Sequence, residues 1–72
     1  MSRTRMWIAE TDQYGMTDRK FSVDDPLHIP RVGEFIDSDS VGGWVDHVQY
    51  YYNTIGVPEF SLVVYVYLRK EK

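Results

Sequence analysis

The chain has 72 residues, no cysteine and a formal net charge of −3, which predicts one domain over residues 1–72 with a single small hydrophobic core. The lack of cysteine excludes disulfides and thiolate metal sites, and the spacing of His28 and His47 does not match a zinc site. The longest apolar run, residues 62–68, is far too short to span a membrane, so we expect a soluble cytoplasmic protein.

The first third of the chain predicts a β-hairpin. Apolar and polar residues alternate over residues 4–10 and again over residues 19–23, the pattern of a strand with one buried face. Residues 11–15 are rich in turn formers and predict a loose loop between the two strands. Pro26 cannot donate a backbone hydrogen bond, so the second strand should end before it.

The middle of the chain predicts an irregular connection followed by a short strand. Residues 27–33 contain Pro30 and Gly33, and we expect this segment to cross from one edge of the sheet to the other. Residues 34–38 predict a short strand whose Phe35 and Ile36 belong to the core.

Two longer strands follow, separated from each other and from the short strand by glycine-containing turns. Val45 and Val48 depart from strict alternation in the strand over residues 44–52, which predicts a bulge near Asp46 and His47. Residues 60–68 alternate most clearly. One face has Leu62, Val64, Val66 and Leu68, and the other has Ser61, Val63, Tyr65 and Tyr67.

Five short strands with turns between them predict an all-β fold, either a small five-stranded antiparallel barrel or a curled meander. Residues 29–36, followed by the glycine-led strand at 43–48 and the apolar strand at 62–66, resemble small Src-homology-3-like β-barrels of phage and bacterial proteins. In such barrels a glycine followed by an acid, here Gly33 and Glu34, opens a strand. The resemblance covers residues 29–68 and implies an adaptor or an inhibitor of another protein, and no enzyme.

The aromatic residues are the first candidates for a binding site. We take Tyr51, Tyr65, Tyr67 and Trp44 as candidate binding residues, because tyrosine and tryptophan are frequent at interface hot spots. The alternative is that these rings pair across strands and cover a thin barrel. A dimer face made of the same rings is a further reading.

The only basic residue between positions 21 and 60 is Arg31, which is a candidate interface anchor or, alternatively, the anchor of a loop. Asp37, Asp39 and Asp46 lack the companion ligands of a calcium loop and are interpreted as solvated turn acids. Strand alternation places Asp46 and His47 on opposite sides. No nucleophile with a positioned base is recognisable, so we expect no catalytic site, no metal and no cofactor.

Charge is unevenly distributed, with net values of +1, −6 and +2 over residues 1–20, 21–60 and 61–72. We therefore expect a protein partner with a basic or aromatic-accepting surface. A nucleic-acid-binding barrel is an alternative if the basic residues of the two ends cluster. Those residues are Arg3, Arg5, Arg19, Lys20, Arg69 and Lys70. A structural subunit that assembles with copies of itself, for example as a homodimer, is the remaining alternative.

Overall fold

The structure is a computed structural model that describes residues 3–12, 14–56 and 58–70. These residues form five strands. The strands are β1 (Arg3–Asp12), β2 (Gly15–Asp24), β3 (Phe35–Asp37), β4 (Gly42–Tyr52) and β5 (Phe60–Arg69). They form one strongly curled sheet in the order β2-β1-β5-β4-β3. The all-β fold class is confirmed, as a half-barrel without helices in the described residues.

One pairing departs from an all-antiparallel sheet. β1 pairs with β2, β3 with β4 and β4 with β5 in antiparallel fashion, whereas β1 pairs with β5 in parallel. The hairpin β1–β2 and the meander β3–β4–β5 are thus joined by the first and last strands, which are far apart in sequence. Strand patterns alone do not determine which strands become neighbours.

The core lies on the inner, concave face of the sheet and is almost entirely aliphatic. Its buried members come from β1, β4, β5 and the turn before β4, and Phe21, Ile29, Ile36, Val48 and Leu62 pack against them. They are Met6, Ile8, Val41, Val45, Val64, Val66 and Leu68. Phe35, which we expected in the core, is 56% exposed, because pairing with Trp44 of β4 turns Phe35 away from the core and Ile36 toward it.

The bulge predicted in β4 is confirmed. The pairing of β4 with β5 shifts between Val45 and His47, so that Val45 faces Leu68 and Val48 faces Val66. An extra residue in one strand reverses the alternation beyond it, and both valines therefore lie on the core side.

The connection between β2 and β3 runs from one edge of the sheet to the other, as predicted, and it passes over the inner face. It leaves the first edge with Asp25 N–H donating to Thr4 O at 2.7 Å. Its Ile29 packs against the core, and it reaches the other edge, where Gly33 N–H donates to Val45 O at 2.9 Å. This segment will be called the crossover segment, residues 25–34.

The β1–β2 loop is shorter than the predicted loose loop, since Thr11 pairs with Met16 and Asp12 with Gly15. The turn is held by Asp12 Oδ1, which accepts a hydrogen bond from Tyr14 N–H at 2.7 Å, and Gln13 lies outside the described residues. In the part of the chain that the structure describes, no helix is long and apolar enough to cross a membrane.

Candidate binding face

The side of the sheet opposite the core carries most of the candidate residues and will be called the outer face. Strand register defines it, because residues directly opposite each other in a sheet point to the same side. Tyr65 of β5 lies between Trp7 of β1 and Gln49 of β4, and Tyr67 lies between Ala9 and His47. On β1, β4 and β5 the outer face has Arg5, Trp7, Ala9, Trp44, His47, Gln49, Tyr51, Val63, Tyr65, Tyr67 and Arg69. On the two edge strands Lys20, Ser22, Asp24 and Phe35 lie on the same side.

Ring contacts and one hydrogen bond order the centre of the outer face. The ring of His47 stacks on that of Tyr67, with centroids 4.2 Å apart and planes inclined by 16°. Tyr65 and Tyr67 have centroids 6.5 Å apart, and the Tyr67 hydroxyl donates to Gln49 Oε1 at 2.9 Å. Both tyrosines are half-buried. The rings thus combine fixed positions with access to solvent.

Ion pairs border the outer face at both ends. At one end, Arg5 Nε donates to Asp24 Oδ1 at 2.8 Å, a hydrogen bond that lowers the pKa of Asp24. At the other, Arg69 Nη1 donates to Asp46 Oδ1 at 2.9 Å, and His47 Nδ1 lies 2.9 Å from Asp46 Oδ2. The pKa of Asp46 is lowered, first by the bond with His47 and then by that from Arg69.

The contact between Asp46 and His47 corrects the expectation that these neighbours lie on opposite sides. Asp46 is the bulged residue of β4, and a bulge suspends strict alternation. Its carboxylate therefore reaches the ring of the next residue.

Four of the five candidate residues share the outer face. The strand register places Tyr65, Tyr67 and Tyr51 on this face. Trp44 lies opposite Arg69, and it alternates with Val45, which is buried on the core side, so Trp44 also lies on the outer face. Arg31 lies instead in the crossover segment, outside the sheet, where its N–H donates to Glu34 Oε1 at 2.5 Å. That bond lowers the pKa of Glu34.

Sequence reasoning did not single out Trp7, although it is part of the same surface. Its alternation with Met6 and Ile8 placed it on the outer side of β1. Its position beside Tyr65 depends on the parallel pairing of β1 with β5, which no local pattern indicates. The ammonium of Lys20, on the adjacent β2, lies 5.6 Å from the centre of the Trp7 ring.

The basic residues of the two chain ends do not form one cluster, because Arg3 and Arg5 lie at one end of the sheet and Arg69 and Lys70 at the other, and carboxylates neutralise most of them. Arg3 and Arg5 pair with Asp24, and Arg3 also contacts Asp25 and Glu59. Arg19 and Lys70 both pair with Glu10, and Arg69 pairs with Asp46. Of the six residues that the nucleic-acid alternative requires, Lys20 alone has no ion pair within the described part of the chain.

A groove of about 360 Å³ lies at the open end of the half-barrel, between Glu10, Arg19, Lys70 and the β3–β4 turn. Glu10 is only 6% exposed, and its carboxylate oxygens lie 3.5 Å from Arg19 Nε and 3.4 Å from Lys70 Nζ. Arg19 Nη2 also donates to Ser40 O at 3.1 Å and so bridges β2 to the β3–β4 turn. These contacts satisfy Glu10 from within the chain.

Residues 3–12, 14–56 and 58–70 include no cluster of three or more His, Cys, Asp or Glu side chains that could hold a metal ion. Asp37 and Asp39 lie exposed around the β3–β4 turn. A scan against protein-family models, a search of curated proteins and a search of solved structures each find no match to this chain. The Src-homology-3-like resemblance therefore stays a prediction.

Proposed function

We propose that this chain is a non-enzymatic protein-binding module that holds its partner on the outer face. The observation that carries the proposal is the band of rings formed by Trp7, Tyr65, Tyr67 and His47 across three adjacent strands. The crossover segment packs on the opposite side of the sheet, through Ile29. In the described residues the outer face has no second layer over it.

The rings suit a protein partner because they are already positioned. Tyrosine and tryptophan supply a large contact area and have few rotatable bonds, so ordering them on binding costs little entropy. Here the stack of His47 on Tyr67 and the hydrogen bond from Tyr67 to Gln49 hold the central rings. Each tyrosine hydroxyl adds a polar group at the rim of an otherwise apolar contact.

The charges around the outer face support a protein partner over a phosphate backbone. Nucleic-acid affinity depends on cations that are free to replace counterions. Arg5 is engaged by Asp24 and Arg69 by Asp46, so the border of the face is close to neutral. We expect a partner surface with apolar side chains and hydrogen-bonding groups.

Single-stranded nucleic acid is the second candidate ligand, and one contact favours it. Lys20 has no ion pair in the described residues and lies over Trp7, an arrangement that can hold a stacked base beside a phosphate. Binding of a fluorescent single-stranded oligonucleotide that weakens steeply with salt would support this candidate.

The test of the proposed function is capture of a partner from cell lysate by the tagged chain, before and after nuclease treatment, with identification by mass spectrometry. The decisive variant is Tyr65→Ser with Tyr67→Ser, checked for folding by circular dichroism. Tyr14→Ser is the matched control, because Tyr14 is 88% exposed in the β1–β2 turn, away from the outer face. Arg31→Ser reports whether the crossover segment contributes.

We expect the double variant to weaken binding of the identified partner at least tenfold, the loss typical of hot-spot residues. Tyr14→Ser should bind like the unmodified chain. Unchanged binding by a folded double variant would contradict the proposal. Capture that disappears after nuclease would support the nucleic-acid candidate instead.

A further inference from the structure

The free edge of the sheet at β2 carries a second, independent surface. β2 is ten residues long and forms one end of the strand order, whereas β3, at the other end, has three residues. An edge strand presents backbone N–H and C=O groups that can pair with another strand.

One hydrogen bond fixes which backbone groups of β2 face outward. Asp25 N–H donates to Thr4 O at 2.7 Å, and these residues continue the register in which Arg5 faces Asp24. In an antiparallel ladder, hydrogen-bonded and non-hydrogen-bonded pairs alternate. The backbone groups of Asp24, Ser22 and Lys20 therefore point away from β1, toward the free edge.

We infer that two copies of this chain pair antiparallel through their β2 edges, around a two-fold axis at Ser22. In this register Ser22 faces Ser22 of the second copy, and Lys20 faces Asp24 in both directions. Each opposed pair joins residues whose backbone groups already point outward, so about six backbone hydrogen bonds form across the axis. On the inner face Phe21 lies opposite Val23.

Charge complementarity indicates that a second copy of the chain binds to the β2 edge and that the two-fold axis lies at Ser22. Lys20 has no ion pair in the described residues. On the second copy it meets the carboxylate of Asp24, which Arg3 and Arg5 also contact within their own chain. Moving the axis to Lys20 opposes two lysines. Moving it to Phe21 opposes Asp18 and Asp24. Charges on an edge strand disfavour unspecific strand pairing. In β2 they favour the register with the axis at Ser22 over the other two.

The inner face of the paired strands supports the same register. Val23 is 37% exposed at the free edge, while Phe21 is half-buried and packs against the core. Pairing places each Val23 against Phe21 of the other copy. The aliphatic core of one sheet then continues into that of the next.

β4 has an open edge as well, because β3 pairs only with Gly42–Trp44. Its open part over residues 48–52, which has Val48, Tyr50 and Tyr52, carries no charged side chain. Pairing of two copies there would have no ion pair to set its register. The β2 edge is therefore the surface we assign to self-association, and this assignment does not depend on the proposed function of the outer face.

Sedimentation velocity of the purified full chain tests the inference first. The strip of contact is narrower than a standard interface, so we expect a weak dimer with a dissociation constant of about 10 µM. A chain that stays monomeric up to roughly 1 mM, two orders of magnitude above that constant, would overturn the inference.

Cross-linking tests the register. The chain has no cysteine, and hydrogen-bonded antiparallel pairs have Cα atoms about 5.5 Å apart, a separation that a disulfide spans. Ser22→Cys should therefore form a disulfide-linked dimer under mild oxidation, whereas Asp18→Cys, on the same strand but away from the axis, should not. A dimer that cross-links through Tyr50→Cys and not through Ser22→Cys would place the interface on β4 and overturn the inference.

Two variants with matched controls test the contacts. Lys20→Glu replaces two attractions by two repulsions and should weaken the dimer at least about fivefold, while Arg31→Glu, with the same change in charge outside the sheet, should not. Ser22→Pro removes an outward N–H and keeps the pairing with β1, so it should weaken the dimer about tenfold or more. Ser22→Ala is its control. Equal dimerisation of folded Lys20→Glu and Arg31→Glu would contradict the proposed ion pairs.

Discussion

Gly43 is the position where one added methyl group should be most costly. Its φ is +151°, and a Cβ built on its backbone would lie 2.5 Å from the carbonyl oxygen and 3.2 Å from the carbonyl carbon of Arg69. Both atoms belong to the backbone of β5, so neither can rotate out of the way. Gly43→Ala must therefore separate β4 from β5 or distort one of them.

The expected loss has two parts. A residue with a side chain in an unfavourable backbone conformation costs about 1–3 kcal/mol, and an added methyl group in a packed site costs about 1–3 kcal/mol. We expect Gly43→Ala to lower the free energy of unfolding by about 2–6 kcal/mol. Folded domains are usually stable by only about 5–15 kcal/mol, so a loss of this size can unfold a large fraction of the molecules.

Urea unfolding followed by tryptophan fluorescence measures this loss. Gly56→Ala is the matched control, because Gly56 has φ +74° and a Cβ added there would meet no atom within 4 Å beyond its chain neighbours. The control should lose only about 1–2 kcal/mol, for its left-handed backbone. If the two variants differ by less than about 1 kcal/mol, the clash with Arg69 does not constrain the sheet and the reasoning is refuted.

Three further predictions concern the core, the β3–β4 turn and the response to acid. Leu68→Ala should lower the free energy of unfolding by about 2–5 kcal/mol, because Leu68 is fully buried; a urea midpoint near that of the unmodified chain would contradict this. Ser38→Ala should cost about 1 kcal/mol, since Ser38 Oγ donates to Val41 O and accepts from Val41 N–H, and thermal unfolding measures it. The pKa values of Asp24 and Asp46 are lowered in the fold, so the unfolded chain takes up protons first as pH falls. The stability that they contribute is present above about pH 3.9, the ordinary aspartate pKa, and is lost as pH falls through the lower folded pKa. Urea unfolding at pH 7, 4 and 2.5 should show this loss, and Asp24→Asn should reduce it.

The composition of the face and core could be derived from sequence because strand alternation is local. Residues 60–68 assign Val64, Val66 and Leu68 to one side and Tyr65 and Tyr67 to the other, and the structure buries the first set and leaves the second half-exposed. Alternation also located the β4 bulge, because two apolar residues three apart in a strand face the same side only if an extra residue lies between them.

Local patterns did not predict which side chains face the core where a strand has only a few residues. Phe35 and Ile36 are equally apolar, and in a strand of three residues no alternation decides between them. The choice follows from pairing with β4, which places the Phe35 ring against Trp44 at 4.8 Å and leaves Ile36 beside the core.

The sequence by itself determined the number and type of the strands, the side of each long strand that is apolar and the lack of any disulfide. These properties depend on residue types and on contacts near in sequence. The tertiary structure alone decided that β1 lies parallel to β5, which brings Trp7 beside Tyr65. It also decided that carboxylates neutralise the basic chain ends, because such pairs form between residues that only the folded sheet brings together.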